Sequence, residues 1–403
     1  MKPEGSGSNP PSAMFVDPTE DGIALDFAER NRERLKYDHH LKKWLSYDGI
    51  RWKLEETQLA FDEARKILRE HNQRQPSASL PKMRTAYAVE KFAQADRRLA
   101  VTSSRWDQEP WKLCTPGGTV DLKTGQLSKN DPLDYITKCC SVTPNIMPTI
   151  LWDRFLYETT EGDERLIRFL RMMAGYCLTG FTIEHALFFI YGLGGNGKGV
   201  FVNTIAAILN DYHVAANMDV FTQSKYDRHP TELARLHGAR MVTASETEEG
   251  KSWAESRIKQ ITGGDPIAAR FMRGDFFEFT PQFKLVFLGN HKPILHNVDD
   301  AARRRFNIIP FVNKPVRPDK DLPEKLKDEY PGILQWMIEG CLDWQANGLI
   351  KPDVVQAETE AYFDDQDIFS QWLEECTTRK YETTGETSSR LFESWKRWAR
   401  QQG

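Results

Sequence analysis

The feature that most constrains this chain is a glycine loop placed between an apolar run and a helical run. ALFFIY leads directly into GLGGNGKG, Gly192 to Gly199. FVNTIAAIL follows, with Phe201, Ile205, Ile208 and Leu209 on one helical face. A short continuous apolar run before such a loop is what a strand buried on both faces looks like. The pattern G-x-x-x-x-G-K between strand and helix lets backbone N–H groups converge on phosphate oxygens, and the helix N-terminus adds partial positive charge. The candidate nucleotide-binding residues are therefore Gly192, Gly194, Gly195, Asn196, Gly197, Lys198, Gly199 and Val200, with Lys198 reaching the β- and γ-phosphates. The alternative is a glycine-rich turn with a solvated lysine. One position departs from the pattern. A Ser or Thr is expected after the lysine as a Mg²⁺ ligand, and Gly199 stands there. This weakens the case for fast hydrolysis more than the case for binding.

Three more buried-strand runs, ARMVTAS, FKLVFL and RFNIIPF, alternate with helical segments between about 186 and 311. They predict an α/β unit with a mainly parallel sheet. ARMVTAS ends in Glu246-Thr247-Glu248-Glu249. A carboxylate at a strand end beside a phosphate loop can hold Mg²⁺ through water and polarise the attacking water. Glu246 is the first choice for both roles and Glu248 the second acid; the alternative is an acidic solvent-facing loop. FKLVFLGN ends at Asn290, whose amide could orient water or touch the γ-phosphate, or else simply form a Gly-Asn turn. DDAARRRF sets Arg303, Arg304 and Arg305 before the strand NIIPF. They are a solvated face, or they deliver an arginine to a neighbour's γ-phosphate, which implies a ring. Between the acids and Asn290, SRIKQITGGDPIAARFMRGDFFEF reads as a helix stopped at Gly263-Gly264 and two extended segments meeting near Arg273-Gly274-Asp275. A tip carrying Arg270, Phe271, Met272 and Arg273 could grip single-stranded DNA by charge and stacking, or be an ordinary surface hairpin.

The flanks are plainer. The first 20 or so residues, rich in Gly, Pro and Ser, read as disordered. A short helix through Leu25, Phe27 and Leu35 is expected next, then a hairpin around Asp48-Gly49 and a helix from Thr57 to Gln73. A second hairpin turns at Lys123-Thr124-Gly125, and a helical stretch runs from Trp152 to Gly180. After Pro315 the chain reads as helical, with Ile333, Met337, Cys341 and Trp344 on one face. The charge balance of 54 Lys+Arg against 58 Asp+Glu excludes a protein that coats nucleic acid with its whole surface. The six cysteines include no C-x-x-C pair and read as reduced thiols, and no apolar run is long enough to span a membrane. A cytoplasmic protein is expected.

Taken in order, GLGGNGKG, ASETEEG, IKQITGGDPIAAR, KLVFLGNHKP and AARRRFNIIPF resemble the superfamily III helicases of the phage and plasmid primase-helicase type, relatives of the poxvirus helicase-primases. The resemblance covers roughly residues 35 to 400. It implies a P-loop NTPase core of AAA+-like type with a parallel sheet at 181–315. A helicase-associated α+β and helical domain at 21–180 precedes it, and a helical, partly winged-helix-like domain at 316–403 follows. It also implies a hexameric ring driven by ATP and Mg²⁺ that moves on single-stranded or forked DNA in phage, plasmid or mobile-element replication, inside a bacterial host. In that scheme Lys198 is the loop lysine, Glu246 the strand-end acid, Asn290 the polar sensor and Arg304 the trans-acting arginine. Arg270, Phe271 and Arg273 belong to the DNA-gripping hairpin, whose tip lacks the family's Lys or His. No stretch supplies the paired carboxylates of nucleotide polymerisation, so priming is expected from a separate primase or polymerase. The competing expectation is a nucleotide-switched DNA-binding or loading ring with little motor activity. A small-molecule kinase would explain neither the arginine triplet nor the helical flanks.

Overall fold

The computed structural model describes residues 19–223, 231–245, 250–270, 276–296, 298–315, 317–377 and 385–402. The N-terminal stretch expected to be disordered lies almost wholly outside them. The chain divides into two compact units, one of residues 1–108 and 130–138, the other of residues 109–129 and 139–403.

In the first unit, helix α1 (Glu20–Asn31) starts at Thr19, whose hydroxyl accepts the Gly22 amide. The sequence pattern ran this helix on to Leu35. It stops at Asn31, whose side-chain amide donates to the Phe27 carbonyl, and Leu35 instead opens β1 (Leu35–Asp38). Pairing with distant chain overrides the local apolar spacing there. β2 (Lys43–Tyr47) and β3 (Trp52–Leu54) form the expected hairpin. Its turn is fixed by the Asp48 carboxylate, which accepts the Ile50 and Arg51 amides, and by Gly49 at φ +94°. Helices α2 (Leu59–Arg74) and α3 (Met83–Ala95) pack with α1 around Ile23, Phe27, Ala64, Ile67 and Val89. β4 (Ala100–Val101) joins β1 in parallel, giving the order β3-β2-β1-β4.

The second unit opens with the antiparallel meander β5 (Lys112–Thr115), β6 (Gly118–Asp121) and β7 (Gln126–Ser128), the last two joined through Gly125 at φ +74°. The helical stretch read from Trp152 to Gly180 is two helices, α4 (Ile150–Thr160) and α5 (Glu164–Leu178). Glu161 and Gly162 both take positive φ between them, and the Asp163 carboxylate caps α5 by accepting the Arg165 and Leu166 amides.

Next come β8 (Leu187–Tyr191), α6 (Lys198–Leu209), β9 (His213–Ala215), α7 (Thr231–Ala234), β10 (Met241–Ser245) and α8 (Glu255–Gly263). The hairpin β11 (Ile267–Arg270) and β12 (Phe276–Phe279) leads to β13 (Lys284–Gly289), α9 (Asp300–Arg305) and β14 (Phe306–Pro310). β14, β8, β13, β10 and β9 form one sheet in that order, every neighbouring pair parallel. Strand residues alternate between faces, and both faces are buried. Phe188, Ile190, Val286 and Ile309 meet α5 and α6, whereas Leu187, Phe189, Leu285 and Ile308 meet a second core around Phe221 and Trp253. This is the continuous burial that the apolar runs predicted.

The C-terminal region is helical: α10 (Leu322–Lys325), α11 (Tyr330–Asn347), α12 (Asp353–Gln366), α13 (Ile368–Cys376) and α14 (Ser388–Gln402). α11 lies against α5 and buries Ile333, Met337, Cys341 and Trp344. α12 covers the edge strand β14, where the Thr359 hydroxyl accepts the Ile308 amide at 3.0 Å. Two buried basic side chains meet the end of α5. Arg240 donates to the Leu178 carbonyl, and Lys284 donates to the Thr179 carbonyl while lying 4.8 Å from the Tyr176 ring. N–H donors at a helix C-terminus satisfy carbonyls that lack an intrahelical partner. Neither residue stood out in the sequence. All six cysteines are free and only Cys376 is exposed; burial pushes the Cys177 and Cys341 thiols up to about 12. Among the described residues no helix is long and apolar enough to cross a membrane.

Candidate functional site

The glycine loop joins β8, an inner strand of the parallel sheet, to the first turn of α6. Gly195 and Gly197 take φ of +83° and +86°, a backbone shape that L side chains resist. Gly197 is also packed shut: a Cβ there would lie 2.8 Å from the Phe155 ring. At Gly192 a Cβ would fall 1.9 Å from the Phe311 carbonyl oxygen. Gly194 and Gly195 face open space, with no described atom within 4 Å of their Cβ positions. Gly199 is free of steric demand, its nearest neighbour being the Asn203 amide at 3.9 Å. The glycine in place of Ser or Thr is therefore a matter of chemistry, not of space.

Lys198 is only 8% exposed. Its ammonium donates to the Gly192 and Leu193 carbonyls, to Asn196 Oδ1 at 3.1 Å and to Asn290 Oδ1 at 3.2 Å. Burial lowers its pKa, because losing water disfavours the charged form. The sheet explains the meeting with Asn290. β13 lies beside β8 with Gly289 opposite Tyr191, so the residue after β13 emerges next to the loop. Two sequence-predicted residues 92 positions apart are thus in contact.

β10 lies on the other side of β13, with Ser245 opposite Leu288. Glu246 and Glu248, just beyond Ser245, lie outside the described residues. So do Phe271 and Arg273. Arg270 closes β11, where its guanidinium stacks over the Phe276 ring at 5.0 Å. The three arginines of α9 have different surroundings. Arg303 stacks on Phe363 at 4.9 Å and lies 3.9 Å from Asp364. Arg305 donates to Thr262 Oγ1 and to the Ala301 carbonyl. Arg304 is exposed and, among the described residues, donates only to its own helix at the Asp300 carbonyl. Arg303 and Arg304 border a cavity of about 610 Å³ with Lys351, Glu360 and Phe363.

Two participants escaped the sequence reading. Lys292 sits 4.5 Å over the Tyr191 ring, at the mouth of the loop, and pairs with Glu358 at 3.3 Å. The Phe311 carbonyl accepts the Asn196 side-chain amide. A lysine two residues beyond Asn290 was a visible signal for the first; a backbone carbonyl leaves none.

Sheet, loop and helical flanks define a mixed α/β protein with a glycine loop at the carboxyl end of a parallel sheet, the usual place for ligands in such sheets. A family model described as "D5 N terminal like" matches residues 24–161, and one described as "Family of unknown function (DUF5906)" matches residues 190–305. Four relatives carry the name "Putative helicase". The one from Acanthamoeba polyphaga mimivirus is 24% identical over 72% of this chain and 33% of its own length. The one from Frog virus 3 is 26% identical over 66% of this chain and 28% of its own. "Primase D5" of fowlpox virus is 23% identical over 44% of this chain and 22% of its own length. The chain therefore spans about a third or less of the length of these curated relatives. Among solved structures, the apo C-terminal region of NrS-1 superposes with a TM-score of 0.53 at 12% identity, covering 93% of this chain and 86% of that one. That likeness is one of fold. The chain is thus similar, in two separate segments, to the D5-type helicase-primases of large DNA viruses.

Proposed function

We propose that the chain is the motor of an ATP-dependent DNA helicase that works as a hexameric ring. The observation that carries this reading is the convergence of Lys198 and Asn290 on the mouth of the glycine loop. A lysine at a helix N-terminus beside positive-φ glycines has the donors that a triphosphate requires. The open space over Gly194 and Gly195 leaves room for it. Bound Mg·ATP supplies a γ-phosphoryl group for transfer to water and a cation that neutralises its charge. Lys198 holds the phosphates, Asn290 orients the attacking water, and Glu246, with Glu248 as second acid, holds Mg²⁺ and polarises that water. Arg304 serves a neighbour's site, where it stabilises charge spreading in the transition state. The β11–β12 hairpin, with Arg270, Phe271 and Arg273, tracks a single strand in the pore. The test is Lys198→Ala, which should abolish ATP turnover and strand separation on forked DNA together. Normal turnover by that variant would overturn the assignment.

A second reading is a nucleotide-switched loading ring with little motor activity, and Gly199 is the observation that favours it. DNA-stimulated ATP turnover separates the two: large stimulation marks a motor, little stimulation a switch.

A further inference from the structure

Asn196 occupies the joint between the glycine loop and the exit of β14, with both ends of its side chain in use. It is 2% exposed. Its Oδ1 accepts from the Lys198 ammonium at 3.1 Å, and its Nδ2 donates to the Phe311 carbonyl. Gly192 makes this reach possible, since a Cβ there would lie 2.3 Å from Asn196 Nδ2 and closer still to the Phe311 oxygen. Phe311 is itself anchored: its amide donates to the Tyr191 carbonyl at 2.7 Å and its ring packs on Phe201. Upstream, β14 follows α9 without a linker, Arg305 being succeeded directly by Phe306. One buried amide therefore touches the lysine on one side and the arginine-bearing segment on the other.

We propose that Asn196 is a positioning residue that couples occupancy of the loop by a nucleoside triphosphate to the placement of the Arg304 segment. The inference rests on the motor reading above. A phosphate draws the ammonium of Lys198 away from neutral oxygens, because a hydrogen bond between two ions is roughly twice as strong as one between neutral groups. Asn196 Oδ1 then loses its donor inside a buried site, where an unsatisfied carbonyl is costly. The side chain re-seats to find another partner. Its Nδ2 carries the Phe311 carbonyl along, and the buried β14 passes the shift to α9.

The test measures DNA-stimulated ATP turnover for Asn196→Ala, Arg304→Ala and the double variant, with ATP binding followed by calorimetry. Asn196→Ala should lower kcat by about thirtyfold, a larger effect than its weakening of ATP binding or its rise in KM. The double variant should be no slower than the slower single variant, because both act on one step. A kcat within about twofold of the wild type, or fully additive losses, would overturn the inference. If Asn196→Ala does not fold, hydrogen exchange on the wild-type chain decides, with and without a non-hydrolysable ATP analogue. Altered protection along 306–311 supports the coupling, and a change confined to the loop sinks it. A wild-type chain that neither binds nor hydrolyses ATP would remove the motor reading and this inference together. A chain that does both, with an indifferent Asn196→Ala, removes this inference alone.

Discussion

Gly175 of α5 and Gly340 of α11 meet backbone to backbone where the two helices cross. A Cβ on Gly175 would lie 2.1 Å from the Cys341 amide nitrogen, and one on Gly340 would lie 2.0 Å from the Arg171 carbonyl oxygen. No side chain can rotate away to relieve either clash. Beside the crossing, Arg168 forms two hydrogen bonds to Asp343 and holds that carboxyl down at about 2. α5 also buries Phe169, Leu170 and Met173 in the core on the inner face of the sheet, so the crossing supports the layer on which the glycine loop rests.

Gly175→Ala should therefore destabilise the chain although alanine favours helix. Overpacking costs about 1–3 kcal/mol and more when backbone is struck, against a propensity gain of about 1 kcal/mol. A net loss of about 2 kcal/mol is expected in urea denaturation. An unchanged midpoint would mean that the helices do not cross at this distance.

Gly199→Ser should act in the opposite direction. The site has space, its φ is not in the left-handed region, and serine is a better helix former than glycine by about 0.5 kcal/mol. A small rise in melting temperature is expected. The new hydroxyl would stand where related loops place a Mg²⁺ ligand, so half-maximal ATP turnover should be reached at lower Mg²⁺. A Mg²⁺ titration identical to the wild type would show that the metal is held without reference to this position.

Lys284 makes stability depend on pH. Complete burial lowers its pKa to about 7, against an ordinary value near 10.4 in the unfolded chain. Between these values the unfolded chain holds a proton that the folded chain has given up, so stability rises with pH across that window. Below pH 7 both states are protonated and this contribution is flat. Lys284→Met removes the slope. From pH 7 to pH 9 the wild type should gain about 2 kcal/mol relative to the variant, read from paired urea titrations. Parallel stability curves would show that the ammonium keeps its charge at the carbonyls of Thr179 and Phe181 throughout.

The parts of the fold that were legible in the sequence are those carried by local patterns. Four apolar runs became four strands of the parallel sheet, because strands buried on both faces need little polar residue. The Asp48-Gly49 hairpin was equally legible, since a turn writes its geometry into two adjacent residues. Lys198 was readable in the glycine loop and Asn290 at a strand end, but the strand order that joins them was not. What stayed hidden depends on contacts between distant backbones. Gly175 and Gly340 looked like ordinary helix glycines, Lys284 like the first residue of a strand, and the Phe311 carbonyl has no signature at all. Arg303, Arg304 and Arg305 were indistinguishable as letters, and only their neighbours separate them.

That separation yields the last prediction. Arg303 and Arg305 are held by Phe363, Asp364, Thr262 and Ala301 within the same unit, whereas Arg304 is exposed. Arg303→Ala and Arg305→Ala should lower thermal stability by about 1 kcal/mol each, through a lost cation–π contact and lost hydrogen bonds. Arg304→Ala should leave stability unchanged and lower ATP turnover by about 10³-fold. If Arg304 acts on a neighbour's nucleotide, the defect can be complemented. Arg304→Ala subunits retain Lys198, and Lys198→Ala subunits retain Arg304, so some interfaces in a mixed ring combine an intact lysine with an intact arginine. Each variant alone should turn over little ATP, and the equimolar mixture should recover turnover from those interfaces. No recovery in the mixture, under conditions where the two variants are shown to co-assemble, would place Arg304 on its own subunit's chemistry or on none.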